Sequence, residues 1–295
     1  MKHGKQLRLF LPDGVATGPR YYELVNWTGQ ALSMPVSRIK DLVSGEWPEF
    51  EGPGVYLVRG QSEEGHSRLY IGESENVAKR VQGHPSGLDF EVSEVLLFAS
   101  KDENLTKSHV LWLEIQLIQR AVAAKRIGVT NTKQPPLKLL SKAEQATMEE
   151  FIEHLELVAQ TAGYPYFKEA TKRGGPMMAS QYTLYKQKKD LHASAVINDE
   201  GFVVLAGSRA SGVTTPALAK GYVQQREDLI DQGVLRKDQD GHLTFTVDTT
   251  FASSSAAAAT IAGYPSSGPQ TWRNAESKSL KQVMEEESRE NQEGE

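Results

Sequence analysis

Cysteine is absent from the 295 residues. That excludes disulfides and any thiolate-held metal, and it permits a reducing compartment without requiring one. Long apolar runs are missing too, so no stretch approaches a membrane span. Met1-Lys2-His3-Gly4-Lys5 leads into Leu7, Leu9, Phe10 and Leu11, broken by Arg8 and Pro12. That is too short and too interrupted for a secretory signal. The expectation is a cytoplasmic protein of bacterial type with no membrane contact. An excess of positive charge is also lacking: the formal net charge is −5. Residues 276–295 hold seven acidic and three basic residues, a net of −4, and leave −1 for the rest. The acidity is thus mostly in a tail that reads as disordered. A near-neutral body still has room for a basic groove. Zinc-ligand spacing, a phosphate-binding glycine loop and a serine-hydrolase elbow are missing. The histidines His3, His66, His109, His154, His192 and His242 are scattered, and His109 lies about 140° around a helix from Glu114.

What is present is an ordinary globular composition, 39% apolar and 24% charged, in a chain long enough for two domains. Its most informative stretch runs from Gly54 to His84. Gly54-Val55-Tyr56-Leu57-Val58-Arg59 reads as a strand, and Arg68-Leu69-Tyr70-Ile71-Gly72 reads as its hairpin partner. The polar, glycine-bounded segment 60–65 is the loop. One hairpin register puts Tyr56 and Tyr70 on the same face. Gly72 permits a close turn, and Ser74 is placed to cap a short helix. On that helix Asn76, Arg80 and His84 fall on one side, while Val77 and Val81 face elsewhere.

Further on, residues 92–99 read as a third strand, and Thr106 opens a helix to about Arg126. Glu114 in that helix has Val110, Leu111, Leu117 and Ile118 as its neighbours. A carboxylate in an apolar stripe loses hydration at a cost of several kcal/mol unless something compensates. It is either paired with a buried cation or it ligates a metal. Asn131 is either a turn residue or a site residue. Residues 143–162 form another helix, with Met148, Phe151, Ile152, Leu155 and Val158 at helical spacing.

Gly54-Val55-Tyr56, Tyr70-Ile71-Gly72, Arg80, His84, Glu114 and Asn131, in that order, resemble the GIY-YIG endonuclease family over roughly residues 50–140. The resemblance implies an α+β fold: a small nuclease domain whose three-stranded antiparallel sheet is flanked by helices. It implies divalent-metal-dependent hydrolysis of DNA phosphodiesters, one strand per site. Glu114 would hold a single Mg²⁺ or Mn²⁺, and Arg80 would stabilise the transition state. Tyr56 would orient or deprotonate water, His84 would share the general-base work, and Tyr70 would position phosphate or water. Asn131 would contact substrate. Glu73 departs from the family, many of whose members carry a basic or neutral residue there. Either it turns outward, or it helps to bind metal, or it lowers substrate affinity. A nucleic-acid-binding or scaffold protein without turnover is the alternative function.

The expected organisation is an N-terminal β-hairpin extension over 1–50, a nuclease domain with a buttressing helix over 51–163 and a linker over 164–192. A small ββαββα domain over 193–275 and the acidic tail over 276–295 complete it. The linker region interleaves Lys168, Lys172, Arg173, Lys186, Lys188 and Lys189 with tyrosines and a phenylalanine, which suits phosphates and unstacked bases. Lys172, Arg173, Lys186 and Lys188 are therefore candidate DNA contacts. The last domain, with Gly207-Ser208-Arg209-Ala210-Ser211 and the stretch from Phe251 to Trp272, resembles domain of unknown function 4357. The partners expected are DNA and either a second copy, for double-strand cleavage, or a protein bound by the C-terminal domain.

Overall fold

The structure, a computed structural model, describes residues 3–44, 46–83, 87–132, 140–168, 181–198 and 200–293. The fold is mixed α+β, in two compact units, Met1–Lys168 and Glu169–Glu295. Among the described residues no helix is long and apolar enough to cross a membrane.

The first unit is built on one seven-stranded sheet. Its strands are β1 (Leu7–Phe10), β2 (Arg20–Leu24), β3 (Gly29–Pro35), β4 (Gly54–Gln61), β5 (Ser67–Ser74), β6 (Glu91–Ser100) and β7 (Gly128–Val129). The spatial order is β1-β2-β3-β6-β4-β5-β7, antiparallel except for the β5–β7 pair. The expected three strands are its β6-β4-β5 portion. The first fifty residues do not stand beside that portion as a hairpin; they extend it, because β3 pairs with β6 from Gly29 opposite Ser100 to Pro35 opposite Glu94. Six of the seven β3 residues are buried. A strand covered on both faces loses the alternation by which strands are read from sequence.

Helices cover both faces. α2 (Lys107–Ala124) and α3 (Lys142–Thr161) pack on the side of Val55, Leu57, Leu69, Ile71 and Phe98. α1 (Val77–Gly83) and a 3-10 turn over Val36–Val43 pack on the side of Tyr56, Val58 and Leu97. Each fully buried Leu, Ile or Phe in these layers contributes about 1.5–3 kcal/mol. α2 and α3 begin with capping boxes, Thr106 with His109 and Ser141 with Glu144. His109 is thus a cap partner. α1 is capped by Asn76, whose Oδ1 accepts the Lys79 N–H at 2.9 Å. Ser74 instead accepts from the Asn76 N–H. Asn76 therefore serves the helix terminus and is not on the working face with Arg80.

The second unit carries two sheets. One has the order β14 (Thr249–Phe251), β10 (Gly201–Val204), β9 (Leu191–Asn198), β8 (Gln181–Lys186). The other has the order β11 (Arg209–Ala210), β13 (Leu243–Phe245), β12 (Leu235–Lys237). Around them lie α4 (Lys220–Asp231), α5 (Ser254–Ala262), α6 (Gly268–Thr271) and α7 (Leu280–Glu293). Ala256–Ala259 of α5 are buried, Ser253 caps its start, and Gly263 closes it at φ 74°. The small side chains let neighbouring backbone approach: a Cβ on Gly268 would lie 2.1 Å from the Ser254 carbonyl carbon.

Two boundaries expected from the sequence are corrected. The described parts of the 164–192 segment, residues 164–168 and 181–192, belong to the folded units. Tyr164 and Phe167 are buried in the core of the first unit, and Tyr182, Leu184 and Leu191 in the second. The basic-aromatic pattern concealed core aromatics, and of its tyrosines Tyr185 stays well exposed. Nor is the acidic tail disordered through 293, since α7 covers it. Leu280 anchors it in the core, and Lys278 pairs with Glu286 at 2.7 Å. Glu, Lys, Gln and Met favour helix strongly enough that charge alone misreads the segment.

Candidate nuclease site

The glycines at the two ends of the Gly54 to Gly72 hairpin are required by close approach. A Cβ on Gly54 would stand 2.3 Å from the Phe98 carbonyl oxygen of β6. A Cβ on Gly72 would stand 2.4 Å from Cζ of Tyr56. Tyr56 is opposite Gly72 in the β4–β5 register, and Tyr70 is opposite Val58. The two rings are therefore diagonal neighbours on one face, stacked with centroids 6.1 Å apart and planes at 24°. The glycine leaves the space that the Tyr56 ring fills.

Arg80 stands over this pair from α1. Its guanidinium lies near enough to the two phenols for Tyr56, and then Tyr70, to raise its own pKa. Tyr56 is almost fully buried, and burial, followed by the neighbouring Tyr70, pushes its phenol well above the ordinary value despite Arg80. Tyr56 thus holds its proton at neutral pH. Of its two expected roles, orienting water or deprotonating it, a retained proton favours the first.

Glu114 lies on the outer edge of β5. That edge is closed in steps. β7 pairs with Arg68 and Leu69, the Thr130 N–H donates to the Leu69 carbonyl, and Asn131 takes the next position. Its Oδ1 accepts the Ile71 N–H at 3.2 Å, and its Nδ2 donates to the Ile71 carbonyl. The amide thus replaces one peptide unit of a missing strand. Further along the strand, the Glu73 N–H lies near the Glu114 carboxylate and favours its charged form. Asn131 is accordingly a clamp on the middle residue of Tyr70-Ile71-Gly72, with its amide committed to backbone.

The Glu114 environment does not favour its charge. Val110, Leu117 and Ile118 around it are buried. Burial, and then the charge of Glu73, push its pKa up to about 7, with Lys107 and Arg80 pulling the other way. Glu73 itself is held: both its carboxylate oxygens lie 2.7 Å from Nζ of Lys107. Neither Glu73 nor Lys107 was a candidate site pair from the sequence. The available signal was spacing, since Lys107 and Glu114 are seven apart on α2 and share a face.

Among the described residues no three His, Cys, Asp or Glu side chains gather as a metal set. The donor set at Glu114 suits a hard cation held by one carboxylate, water and substrate oxygens. His84, Lys172 and Arg173 lie outside the described residues, as does the side chain of Lys188. Lys186 ends β8 in the second unit, partly exposed.

Residues 184–284 match the model of a family described as Domain of unknown function (DUF4357). No curated protein and no solved structure matches the chain. For the first unit the nuclease resemblance rests on its own residues.

Proposed function

We propose that the first unit is a divalent-metal-dependent endonuclease that hydrolyses one DNA strand per site. The observation that carries this reading is the stacked Tyr56–Tyr70 pair on one face of the hairpin, with Arg80 near enough for its charge to act on both phenols and on the carboxylate of Glu114. A phosphodiester resists attack because its negative charge repels nucleophiles, so a catalyst must neutralise that charge and orient water. A divalent ion at Glu114 would supply charge neutralisation and a lowered pKa for the attacking water. Arg80, exposed and already oriented by two phenols, offers its remaining N–H groups to a non-bridging phosphate oxygen. Tyr56 and Tyr70 fix that guanidinium and offer hydroxyls to phosphate or water. With its proton retained, Tyr56 orients rather than abstracts, which leaves general-base work to His84 or to solvent.

The test is incubation of the full chain with labelled single-stranded, nicked, branched and duplex DNA in Mg²⁺, Mn²⁺ or EDTA. Cleavage that requires the ion, and that Glu114→Ala abolishes in a folded protein, is the expected result. Cleavage in EDTA, or an inert protein that still binds DNA, would turn the reading to a binding or scaffold role.

A further inference from the structure

Four charged side chains meet at the edge of β5: Glu73 and Glu114, Lys107 and Arg80. Their formal charges cancel. The arrangement within the four is unequal. Lys107 and Glu114 lie on one face of α2, yet Lys107 gives its ammonium to Glu73, 2.7 Å from each oxygen. A compact ammonium bound by both oxygens of a carboxylate occupies the place that a cation would take there. Glu73 is well shielded in this contact, with its side chain 14% exposed, while Lys107 remains 49% exposed. Glu73 is therefore the fixed member of the pair and Lys107 the member open to solvent.

Resting on the nuclease reading above, we infer that the Lys107–Glu73 pair is a positioning unit that sets the divalent-cation affinity of Glu114. Lys107 neutralises the acid that follows Tyr70-Ile71-Gly72, so that a single carboxylate faces the ion. This resolves what Glu73 does at an expected phosphate site: it turns to α2 and is cancelled there. Without Lys107 two carboxylates would attract the ion. Without Glu73 an uncancelled ammonium would repel it. The two single substitutions therefore act with opposite signs, whereas a pair that merely ties α2 to β5 would weaken the site in both cases.

The test is Mn²⁺ binding to the full chain without DNA, read from the electron paramagnetic resonance of free Mn²⁺, with unfolding curves for each variant. One charge removed at a few ångströms changes ion affinity by about tenfold after screening. Lys107→Met is expected to bind Mn²⁺ about tenfold more tightly, and Glu73→Gln about tenfold more weakly. The double variant should return to within about twofold of the wild type, because the two charges cancel. Singles that both weaken binding, or both leave it unchanged, overturn the pair's role while wild-type binding lost in Glu114→Ala keeps the nuclease reading. A wild-type protein that binds no Mn²⁺ without DNA overturns the inference, while the nuclease reading stands or falls by ion-dependent cleavage of DNA.

Discussion

Two carboxylates of the first unit, Glu94 on strand β6 and Glu114 on helix α2, have opposite surroundings. Glu94 on β6 is enclosed by partners. Arg20 and Ser33 bond one oxygen, with Ser33 at 2.6 Å. Arg59 at 2.6 Å and the Tyr164 hydroxyl at 3.3 Å take the other. Arg59 also lies over the Tyr164 ring at 4.6 Å. That cluster joins β2, β3, β4 and β6 to the chain that leaves α3. Among the described residues Glu114 faces the Glu73 backbone N–H, the Arg80 charge and a lysine already committed to Glu73. A carboxylate with a full set of donors has no capacity for a ligand. One that burial pushes up to about 7 gains from the arrival of positive charge. Burial alone does not separate a structural acid from a working one; the count of committed donors does.

The sharpest break of this contrast is activity. Glu114→Ala should abolish ion-dependent DNA cleavage, at least about 10³-fold, in a protein that unfolds normally. Normal cutting by that variant would make Glu114 an edge cap for β5 and nothing more. Arg80→Ala comes next, with turnover falling about 10²–10³-fold while DNA affinity changes little. Equal losses in binding and turnover, measured by single-turnover kinetics, would make Arg80 a ground-state clamp.

Stability should separate the two acids by sign. Glu94→Ala leaves two guanidiniums facing each other without their carboxylate, at a cost of about 3–5 kcal/mol to the first unit. Glu114→Gln should stabilise that unit in EDTA at pH 8. The folded state holds the Glu114 proton more tightly than the unfolded chain, whose value is near 4.5. The stability tied to that proton is thus full below about pH 4.5 and is lost as pH rises through about 7. Partial exposure and solvent screening bring the effect to about 1–2 kcal/mol. Hydrogen exchange on the first unit, followed from pH 4 to 8, should show this slope in the wild type and a flatter one in Glu114→Gln. An unchanged slope would remove Glu114 as its source.

The contrast itself was not legible in the sequence. Glu114 drew notice because apolar residues flank it on a helix, a local pattern. Glu94 alternates with apolar residues in a strand, and its partners are Arg20, Ser33, Arg59 and Tyr164, which only the fold collects. The Gly54–Gly72 hairpin could be read because its glycines, tyrosines and turn are close in sequence. Asn131 looked like a substrate contact, whereas its amide, two residues beyond the end of β7, is a backbone clamp on β5. β3 escaped because burial on both faces masks the period-two signal, and β8, which alternates, escaped because its basic residues drew it into the linker reading. The acidic 280–293 segment was misread because charge was weighed without helix propensity.

The smallest expected effect concerns what lies beyond the first unit. Among the described residues, Lys107 beside the candidate site is already paired with Glu73. On the proposed reading, most of the DNA affinity is expected to come from outside the site, with the basic 168–189 segment and the unit that follows as its source. The first unit keeps its own core through Phe167, so a chain ending at Lys168 preserves it, whereas an end at 163 would remove Tyr164 and Phe167. For every phosphate that the protein no longer neutralises, the log–log salt dependence of binding flattens by roughly one unit. The shortened chain should therefore cleave with unchanged ion dependence but bind DNA less tightly, with a slope shallower by about one to three units. Fluorescence anisotropy between about 50 and 200 mM salt reads the difference directly. An unchanged slope would mean that the 169–295 unit touches no phosphate, and its role would then be to hold a protein partner near the nicking site.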